Sequence, residues 1–404
     1  MIIGIDARML GPQCGGLGRY IEQLVVHLHD IDQENQYVLF LKKENWDYVD
    51  IRNEQEGEGD QHITEEKKKG SGLVLPHGTW RKVLADVSWY GWEEQLKMPG
   101  IIKREKVDLM HFPHWNVPLT YADPFVVTIH DLLLMHYPTR EASLLGPLSY
   151  WFKYYAYKKV LHHATAYAKH ILTPSEFTRQ DVHAMLHIPM SDMTVTYEAP
   201  FDMSLYKEVD RNEQVDVQKK YGITKPFALY VGVAYPHKNL PGLVDAWTLM
   251  EKKYGDTHQL VFVGKDNYFY KKVKAQARLS ASAKNLLFTG FVSDEDLYEL
   301  YTCARAYVFP SLYEGFGLPP LEAMVHGVPV VSSNKTCLPE ILGEAALYVD
   351  PENIDQFSLA MHTVLHDEEI RYELKAKGRE EIKRYSWKKM AEETLAVYIK
   401  AKAS

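Results

Sequence analysis

The residues with the clearest chemical potential are Glu314 and Glu322, which flank a glycine-rich turn at 315–318. Pro319 and Pro320 follow the turn and suit the first positions of a helix, where a missing N–H group costs nothing. A helix start presents backbone N–H groups and a positive dipole end, which together bind anions such as a diphosphate. Each carboxylate can accept hydrogen bonds from a vicinal diol, Glu322 from a ribose and Glu314 from a hexose. The pattern therefore predicts a nucleotide-sugar site rather than an acid/base pair.

A second motif lies upstream, where a predicted strand ends at Gly232 and Lys238 precedes the next helix. A lysine in a loop is usually solvated, but this one follows a strand of the same predicted sheet. At the carboxyl end of that sheet, where ligands of open parallel sheets bind, Lys238 can neutralise a leaving diphosphate as a point charge.

These segments resemble the donor domain of retaining GT-B glycosyltransferases of the large glycogen-synthase-like and mannosyltransferase-like family, glycosyltransferase family 4. Glu314 and Glu322 match the Glu-x7-Glu motif of that family, and Lys238 matches its phosphate-binding lysine. Phe291 and Val292 lie in a segment that resembles the strand end where the family binds the nucleotide base. The resemblance extends over nearly the whole chain.

The resemblance implies a set of donor-binding residues and one departure from the family pattern. Many members carry an arginine where this chain has Val233, so help in neutralising the phosphates must come from His237, Lys265 or Arg19. The implied donor-binding residues are Gly15, Gly16, Gly232, Lys238, Phe291, Val292, Glu314, Gly315, Phe316, Gly317, Leu318 and Glu322, and the implied catalytic residues are His130, Glu314 and Lys238.

The first half contributes Gly15, Gly16 and His130 to that set. The glycines open a helix after the first strand, but the third glycine of a dinucleotide fingerprint is missing, since Ile21 stands in its place. By themselves they indicate only close approach of the backbone to a ligand. His130 stands at the carboxyl end of a predicted strand, where a packed histidine and a functional one are both reasonable. The resemblance implies that it touches the donor sugar.

Two other features have competing interpretations. Asp294-Glu-Asp296 matches the Asp-x-Asp motif of metal-dependent transferases, but it follows Ser293 and is better explained as the acidic first turn of a helix. We therefore expect no metal and no cofactor. The segment Pro147–Lys169 is aromatic and basic, which would suit an anionic membrane or a lipid-linked acceptor. Its aromatic residues run all around the helix, which favours burial.

The elements that position these residues are two series of short β-branched strands alternating with amphipathic helices. Such series predict parallel sheets and an α/β fold of GT-B type, with two Rossmann-like domains facing a central cleft. We predict an acceptor domain over residues 1–200, a donor domain over 201–386 and a terminal helix over 387–404, with the break at Ala199–Pro226. The terminal helix could pack on either domain. Asp50–Gly72 reads as a long surface loop.

Composition excludes several classes of function. The 404 residues carry a formal net charge of −8, which disfavours general nucleic-acid binding. The three cysteines are odd in number and far apart in sequence, as expected in a reducing cytoplasm. No secretory signal or bilayer-spanning stretch is apparent. We expect a cytoplasmic protein that meets a membrane only peripherally, if at all.

The combined pattern predicts a metal-independent glycosyltransferase that moves a hexose from a nucleotide sugar to a glycan or lipid-linked acceptor. Pro236-His-Lys-Asn and Pro113-His-Trp-Asn resemble mannosyltransferases of polysaccharide assembly, which favours GDP-mannose as donor over UDP-glucose. A sugar-nucleotide epimerase and a non-catalytic sugar-nucleotide-binding protein are the alternatives from other classes.

Overall fold

The structure is a computed structural model that describes residues 1–52, 72–76, 79–138, 147–201, 217–255 and 258–403. The chain divides into two compact units. Unit 1 comprises Met1–Leu132, Leu145–Glu198 and Ser386–Ser404, and unit 2 comprises Leu133–Leu144 and Ala199–Tyr385. The part of the predicted break at 202–216 lies outside the described residues.

Unit 1 is built on a seven-stranded, wholly parallel sheet of order β5-β2-β1-β6-β7-β8-β9. Its strands are β1 (Ile2–Asp6), β2 (Gln36–Leu41), β5 (Trp80–Leu84), β6 (Leu109–Phe112), β7 (Phe125–Thr128), β8 (His170–Thr173) and β9 (Met193–Val195), and its helices are α1 (Gly15–Ile31), α2 (Trp92–Glu105), α4 (Pro147–Tyr167), α5 (Glu176–Leu186) and α14 (Trp387–Ala403). A separate parallel pair joins β3 (Val49–Arg52) to β4 (Leu73–Pro76).

The strands of unit 1 are nearly continuous apolar runs because helices cover both faces of a parallel sheet. All four residues of β6 and all four of β7 are buried. The helix α14 packs against α1 and against β6, β7 and β8, so it completes unit 1 rather than unit 2.

Unit 2 contains a six-stranded parallel sheet of order β12-β11-β10-β13-β14-β15. Its strands are β10 (Phe227–Val231), β11 (Gln259–Val263), β12 (Leu286–Gly290), β13 (Ala306–Phe309), β14 (Val330–Ser333) and β15 (Ala346–Val349), and its helices are α3 (Leu133–His136), α6 (Val217–Lys220), α7 (Leu240–Tyr254), α8 (Tyr268–Leu279), α9 (Asp294–Cys303), α10 (Leu318–Val325), α11 (Leu338–Leu342), α12 (Ile354–His366) and α13 (Glu368–Glu381). The two doubly wound parallel sheets confirm the predicted α/β fold class.

Three expectations differ from the structure. The first residues of the predicted loop Asp50–Gly72 belong to β3, whereas 53–71 lie outside the described residues. The strands β3, β4 and β5 were not predicted. In β5, charged residues lie among the apolar ones, and the strand is only partly buried. The expected burial of α4 is wrong for its N-terminal aromatic residues, since Trp151, Phe152 and Tyr155 are all more than half exposed.

Within the described residues, no helix combines the length and the apolar character that crossing a bilayer requires.

The close approach of three strand ends in unit 2 generates a stability prediction. A Cβ atom at Gly264 would lie 2.1 Å from the carbonyl oxygen of Gly232 and 2.6 Å from the hydroxyl of Tyr270. Because backbone cannot move aside cheaply, Gly264→Ala should destabilise the protein by about 1–3 kcal/mol. The matched control is Gly100→Ala inside α2, where a Cβ meets nothing within 4 Å, and alanine is the better helix former. Urea unfolding midpoints of both variants, followed by circular dichroism, provide the measurement, and equal midpoints would contradict the prediction.

Candidate active site

In unit 2 the predicted anion site is a turn that connects β13 to α10. Gly317 caps the helix with a positive φ of 96°, and a Cβ there would lie 2.9 Å from the Cδ2 of Leu338. The backbone N–H of Glu314 donates to the Oγ1 of Thr336 at 3.1 Å. The thiol of Cys337 donates to the carbonyl oxygens of Glu314 and Phe316 at 3.3 and 3.2 Å. The segment before α11 therefore holds the turn in one conformation at the positive end of α10.

The structure brings the predicted lysine and the first predicted glutamate together. The Nζ of Lys238 lies 2.5 Å from the Oε1 of Glu314, and the two side chains are only 15% and 13% exposed. The carbonyl oxygen of His237 accepts a hydrogen bond from the backbone N–H of Leu312 at 2.7 Å, which fixes the loop after β10 beside the loop after β13. Lys238 also lies over the ring of Phe309, 5.5 Å from its centroid.

Glu322, the second glutamate of the motif, is buried on α10 at 7% exposure. The hydroxyl of Tyr301 lies 3.5 Å from its Oε2, a weak hydrogen bond. Burial raises the pKa of Tyr307 well above its ordinary value, and Tyr301, Glu322 and Glu314 raise it further by their charge.

The remaining predicted residues of unit 2 follow neighbouring strand ends. The N–H of Gly232 donates to the carbonyl oxygen of Val263 at 2.9 Å, and that of Gly264 donates to Gly290 at 3.0 Å. Beyond Gly290, Phe291 is 78% exposed, whereas Val292 is buried. Gly232, Phe291, Val292 and the turn at 315–318 therefore all follow carboxyl ends of strands in one sheet.

The help expected from His237 in neutralising phosphate stays a prediction, and the environment of this residue does not favour a positive charge. Burial, reinforced by the charge of Lys238, lowers the pKa of His237 to about 4, so this imidazole is uncharged near neutral pH. Its ring stacks beside that of Tyr235, with the centroids 6.0 Å apart. It acts here as a packed residue.

In unit 1 the predicted residues are Gly15 and Gly16, which open α1 and are both exposed, and His130, which follows β7. The Nδ1 of His130 lies 3.0 Å from the Oε1 of Glu198, and its Nε2 lies 2.9 Å from the carbonyl oxygen of Pro113. Both ring nitrogens can therefore donate when the imidazole is protonated.

The ring of His130 also rests on a buried polar network. The edge of Tyr20 contacts it, with the centroids 4.7 Å apart. The Oγ1 of Thr128 lies 3.0 Å from the hydroxyl of Tyr20 and 2.9 Å from the Nε2 of His111. The Nδ1 of His111 lies 2.6 Å from the hydroxyl of Tyr398 on α14.

Glu198 is the partner that the sequence analysis missed. Burial opposes protonation of His130, but the hydrogen bond and the charge of Glu198 outweigh it and raise the pKa of the imidazole. A usable signal was present, since Glu198 follows β9 and therefore stands at the same edge of the parallel sheet as His130.

The acidic first turn of α9 has the structural role that the sequence predicts. Ser293 caps the helix by accepting a hydrogen bond from the backbone N–H of Asp296 at 3.2 Å. The carboxylate of Asp296 pairs with the Nζ of Lys220 and the hydroxyl of Tyr221, both at 2.5 Å. Across the described residues, no group of His, Cys, Asp or Glu side chains is arranged to hold a metal ion.

Two parallel-sheet units, with a lysine–glutamate pair beside a helix start in the second, define a glycosyltransferase of GT-B type. Family models support this independently: "Glycosyl transferases group 1" matches residues 212–381, and "Glycosyltransferase Family 4" matches residues 14–199.

Curated relatives agree with the family models. The chain is 30% identical over 389 residues to the O-antigen chain mannosyltransferase B of Escherichia coli, with 95% of each chain covered. It is 26% identical over 282 residues to the O-antigen chain mannosyltransferase RfbU of Salmonella typhimurium, covering 70% of this chain and 71% of the relative. The chain therefore belongs to glycosyltransferase family 4, and it is an enzyme that transfers a hexose.

A solved structure shows the same fold. The sucrose-phosphate synthase of Thermosynechococcus elongatus superimposes with a TM-score of 0.70 at 18% identity, covering 100% of this chain and 99% of that one.

The His130–Glu198 pair generates a pH-dependent prediction. The folded-state pKa of His130 lies above its ordinary value of 6.5, so the pair stabilises the folded protein below that value. This stabilisation is lost as the pH rises through the raised pKa. Glu198→Gln should therefore lower the unfolding temperature most at acidic pH and least at about pH 9. Glu176→Gln, which breaks the half-buried pair with Arg179 on α5, is the control. An equal decrease in unfolding temperature at every pH would contradict the role given to Glu198.

Proposed function

We propose that the enzyme transfers mannose from GDP-mannose to a glycan or lipid-linked acceptor in the assembly of a cell-surface polysaccharide. The observation that carries this proposal is the Lys238–Glu314 pair beside the start of α10. It combines a cation for a diphosphate, a carboxylate for sugar hydroxyls and a positive helix end. The mannosyltransferase names of the two bacterial relatives support the choice of sugar.

In the proposed reaction the bond between the anomeric carbon and the diphosphate oxygen breaks, and a bond to an acceptor hydroxyl forms. Lys238 and the α10 dipole stabilise the negative charge that develops on the leaving diphosphate. Glu314 orients the sugar, and Glu322 accepts hydrogen bonds from the ribose. The acceptor hydroxyl passes its proton to the leaving diphosphate oxygen, on the same face of the sugar, as the new bond forms.

His130 has the remaining proposed role, which is to support charge at the anomeric centre as the family resemblance implies. Its raised pKa favours the protonated ring, which offers two N–H groups. The family resemblance implies retention of the anomeric configuration. We propose that retention occurs by attack on the front face, because the donor-site residues include no obvious covalent nucleophile.

The reaction is proposed to need no metal ion. Lys238 and the start of α10 supply positive charge where a metal-dependent transferase would use a cation. The Asp-x-Asp carboxylate Asp296 is engaged by Lys220 and Tyr221. Gly15 and Gly16 are proposed to let the backbone approach the donor phosphates.

UDP-glucose is the second candidate donor, since the groups proposed to bind diphosphate and sugar do not distinguish bases. An epimerase would convert the donor without acceptor, and a binding protein would neither transfer nor hydrolyse it. A coupled assay with and without acceptor separates these outcomes.

We also propose that the enzyme works in the cytoplasm and contacts the membrane peripherally through α4. Trp151, Phe152 and Tyr155 are exposed there, and Lys158 and Lys159 are exposed beside them. Exposed aromatic rings with lysines suit an anionic membrane surface. The three cysteines are free thiols, as in a reducing compartment.

Removing either partner of the Lys238–Glu314 pair should abolish most activity. Lys238→Ala and Glu314→Ala should each lower the transfer rate about 100-fold or more. The first removes the positive charge that stabilises the leaving diphosphate, and the second removes the carboxylate that orients the sugar. Lys238→Ala should also lose the thermal shift that GDP-mannose gives the wild type. The matched control is Lys253→Ala, which removes an exposed lysine paired with Asp355 in the same unit.

Near-normal turnover in both site variants would end the proposal. If UDP-glucose raises the unfolding temperature more than GDP-mannose does, UDP-glucose becomes the proposed donor and the proposed site is unchanged.

The membrane proposal predicts sedimentation with anionic vesicles. Wild-type protein should co-sediment with vesicles of one-third phosphatidylglycerol and not with pure phosphatidylcholine. Changing Lys153, Lys158 and Lys159 together to alanine should weaken binding by roughly 100-fold, because each lysine near an anionic surface contributes about 1 kcal/mol. The control is the variant in which Lys271, Lys272 and Lys274 on α8 are changed together to alanine. Failure of the wild type to bind either vesicle would refute the contact.

A further inference from the structure

Three aromatic side chains in unit 1 form a group that the donor chemistry does not use. Tyr90, His114 and Trp115 make up this aromatic platform. The rings of Tyr90 and Trp115 are stacked with centroids 5.0 Å apart, and His114 lies 4.9 Å from Trp115. The hydroxyl of Tyr90 lies 3.3 Å from the Nδ1 of His114. The edge of Trp115 packs on the buried Tyr157 of α4 at 4.7 Å.

The platform lies beside His130. The rings of His114 and His130 are stacked with their centroids 6.5 Å apart, and Pro113 joins the two groups through its carbonyl oxygen, 2.9 Å from the Nε2 of His130. The ring of Tyr90 lies 5.8 Å from that of His114 between centroids, so a ligand resting on Tyr90 is within one or two sugar rings of the predicted catalytic histidine.

Buried charges hold Tyr90 in a strained conformation. Its φ is 61°, and its backbone N–H donates to the Oε2 of Glu94 at 2.9 Å. The other carboxylate oxygen of Glu94 accepts from Arg8 at 2.6 Å and from Asn116 at 2.7 Å. Arg8 also pairs with Asp6 at 2.6 Å. All four supporting side chains are buried, whereas Tyr90 itself is 51% exposed. Strain of this kind persists only where the surroundings over-determine it, and it clusters at ligand sites.

The charge of this region disfavours an anionic ligand. Beneath the platform the described buried charges are one cation, Arg8, and two carboxylates, Asp6 and Glu94. Burial, together with the charge of His130, lowers the pKa of His114 to about 3, so this ring adds no positive charge. A neutral ligand with an apolar face and hydrogen-bonding edges fits such a surface. Rings of Tyr and Trp offer the complementary combination of a flat apolar face and a polar tip.

We propose that the aromatic platform binds the acceptor as a neutral hexose chain, with the apolar face of one sugar resting on the exposed ring of Tyr90, which stacks on Trp115. This inference rests on the proposed glycosyl transfer and specifies its acceptor as a glycan rather than a lipid phosphate. The hydroxyl of Tyr90 and the imidazole of His114 provide hydrogen-bonding groups at the platform edge. Glu94 and Arg8 act as positioning residues that hold Tyr90 in place.

The test separates acceptor binding from donor binding. The probes are fluorescently labelled α-linked mannobiose, α-linked mannotriose and maltotriose, titrated against wild type and variants. Tyr90→Ala should raise the Kd of the best probe, and its KM in transfer, about tenfold, since one aromatic contact is lost. Tyr90→Phe keeps the ring and should change both values less than threefold. GDP-mannose should give every variant the thermal shift of the wild type.

Trp92→Ala is the matched control. Trp92 lies two positions after Tyr90 in the sequence, is 73% exposed and is not part of the platform. Circular dichroism melting confirms that each variant is folded at the assay temperature. Unchanged probe binding in Tyr90→Ala would overturn the inference, as would failure of the wild type to bind any probe. If neither GDP-mannose nor UDP-glucose gives the wild type a thermal shift, the proposed donor is overturned instead. The two failures are therefore distinguishable.

Discussion

The constraint on which the rest depends is that every strand in each main sheet runs in the same direction. In a parallel sheet all the loops that follow strands open at one edge, and these loops meet water and ligands there. In unit 2 this edge collects Gly232, Lys238 and Glu314, which are far apart in sequence. In unit 1 it collects His130 and Glu198 in the same way. Within each unit the candidate site residues are close together because their loops all follow parallel strands and therefore lie at the same edge of the sheet.

Two of the candidate site residues, Glu314 and His130, are supported by polar partners from a different loop. Thr336 and Cys337 fix the backbone of Glu314, and Glu198 fixes the ring of His130. Such partners are necessary because a loop alone does not restrict a side chain to one position. The cost of burying the polar groups is offset by their mutual hydrogen bonds. The functional groups are consequently held in defined orientations.

The sequence was sufficient for the features that depend on local pattern. Strand periodicity predicted the two parallel sheets, and the turn between Glu314 and Glu322 has the glycine cap and helix start that its residue types require. The pairing of Glu198 with His130 was missed, although both residues follow strands of one parallel sheet. The pairing of Glu94 with the backbone of Tyr90 was not predictable, because no local rule connects them. The lowered pKa of His237 was not predictable for a similar reason, since burial is a property of the fold rather than of the loop that carries the residue.

The helix α14 has a consequence for the order in which the protein is made. It packs on α1 and on three strands of unit 1, and its Tyr398 hydrogen-bonds to the buried His111. Most of unit 2, Ala199–Tyr385, stands in the sequence between the strands of unit 1 and α14. During synthesis, the residues of unit 2 emerge from the ribosome before α14 does, so unit 2 can finish folding first. The half of the enzyme that begins the chain is thus the last to be completed, and until then β6 to β8 lack the helix that covers them.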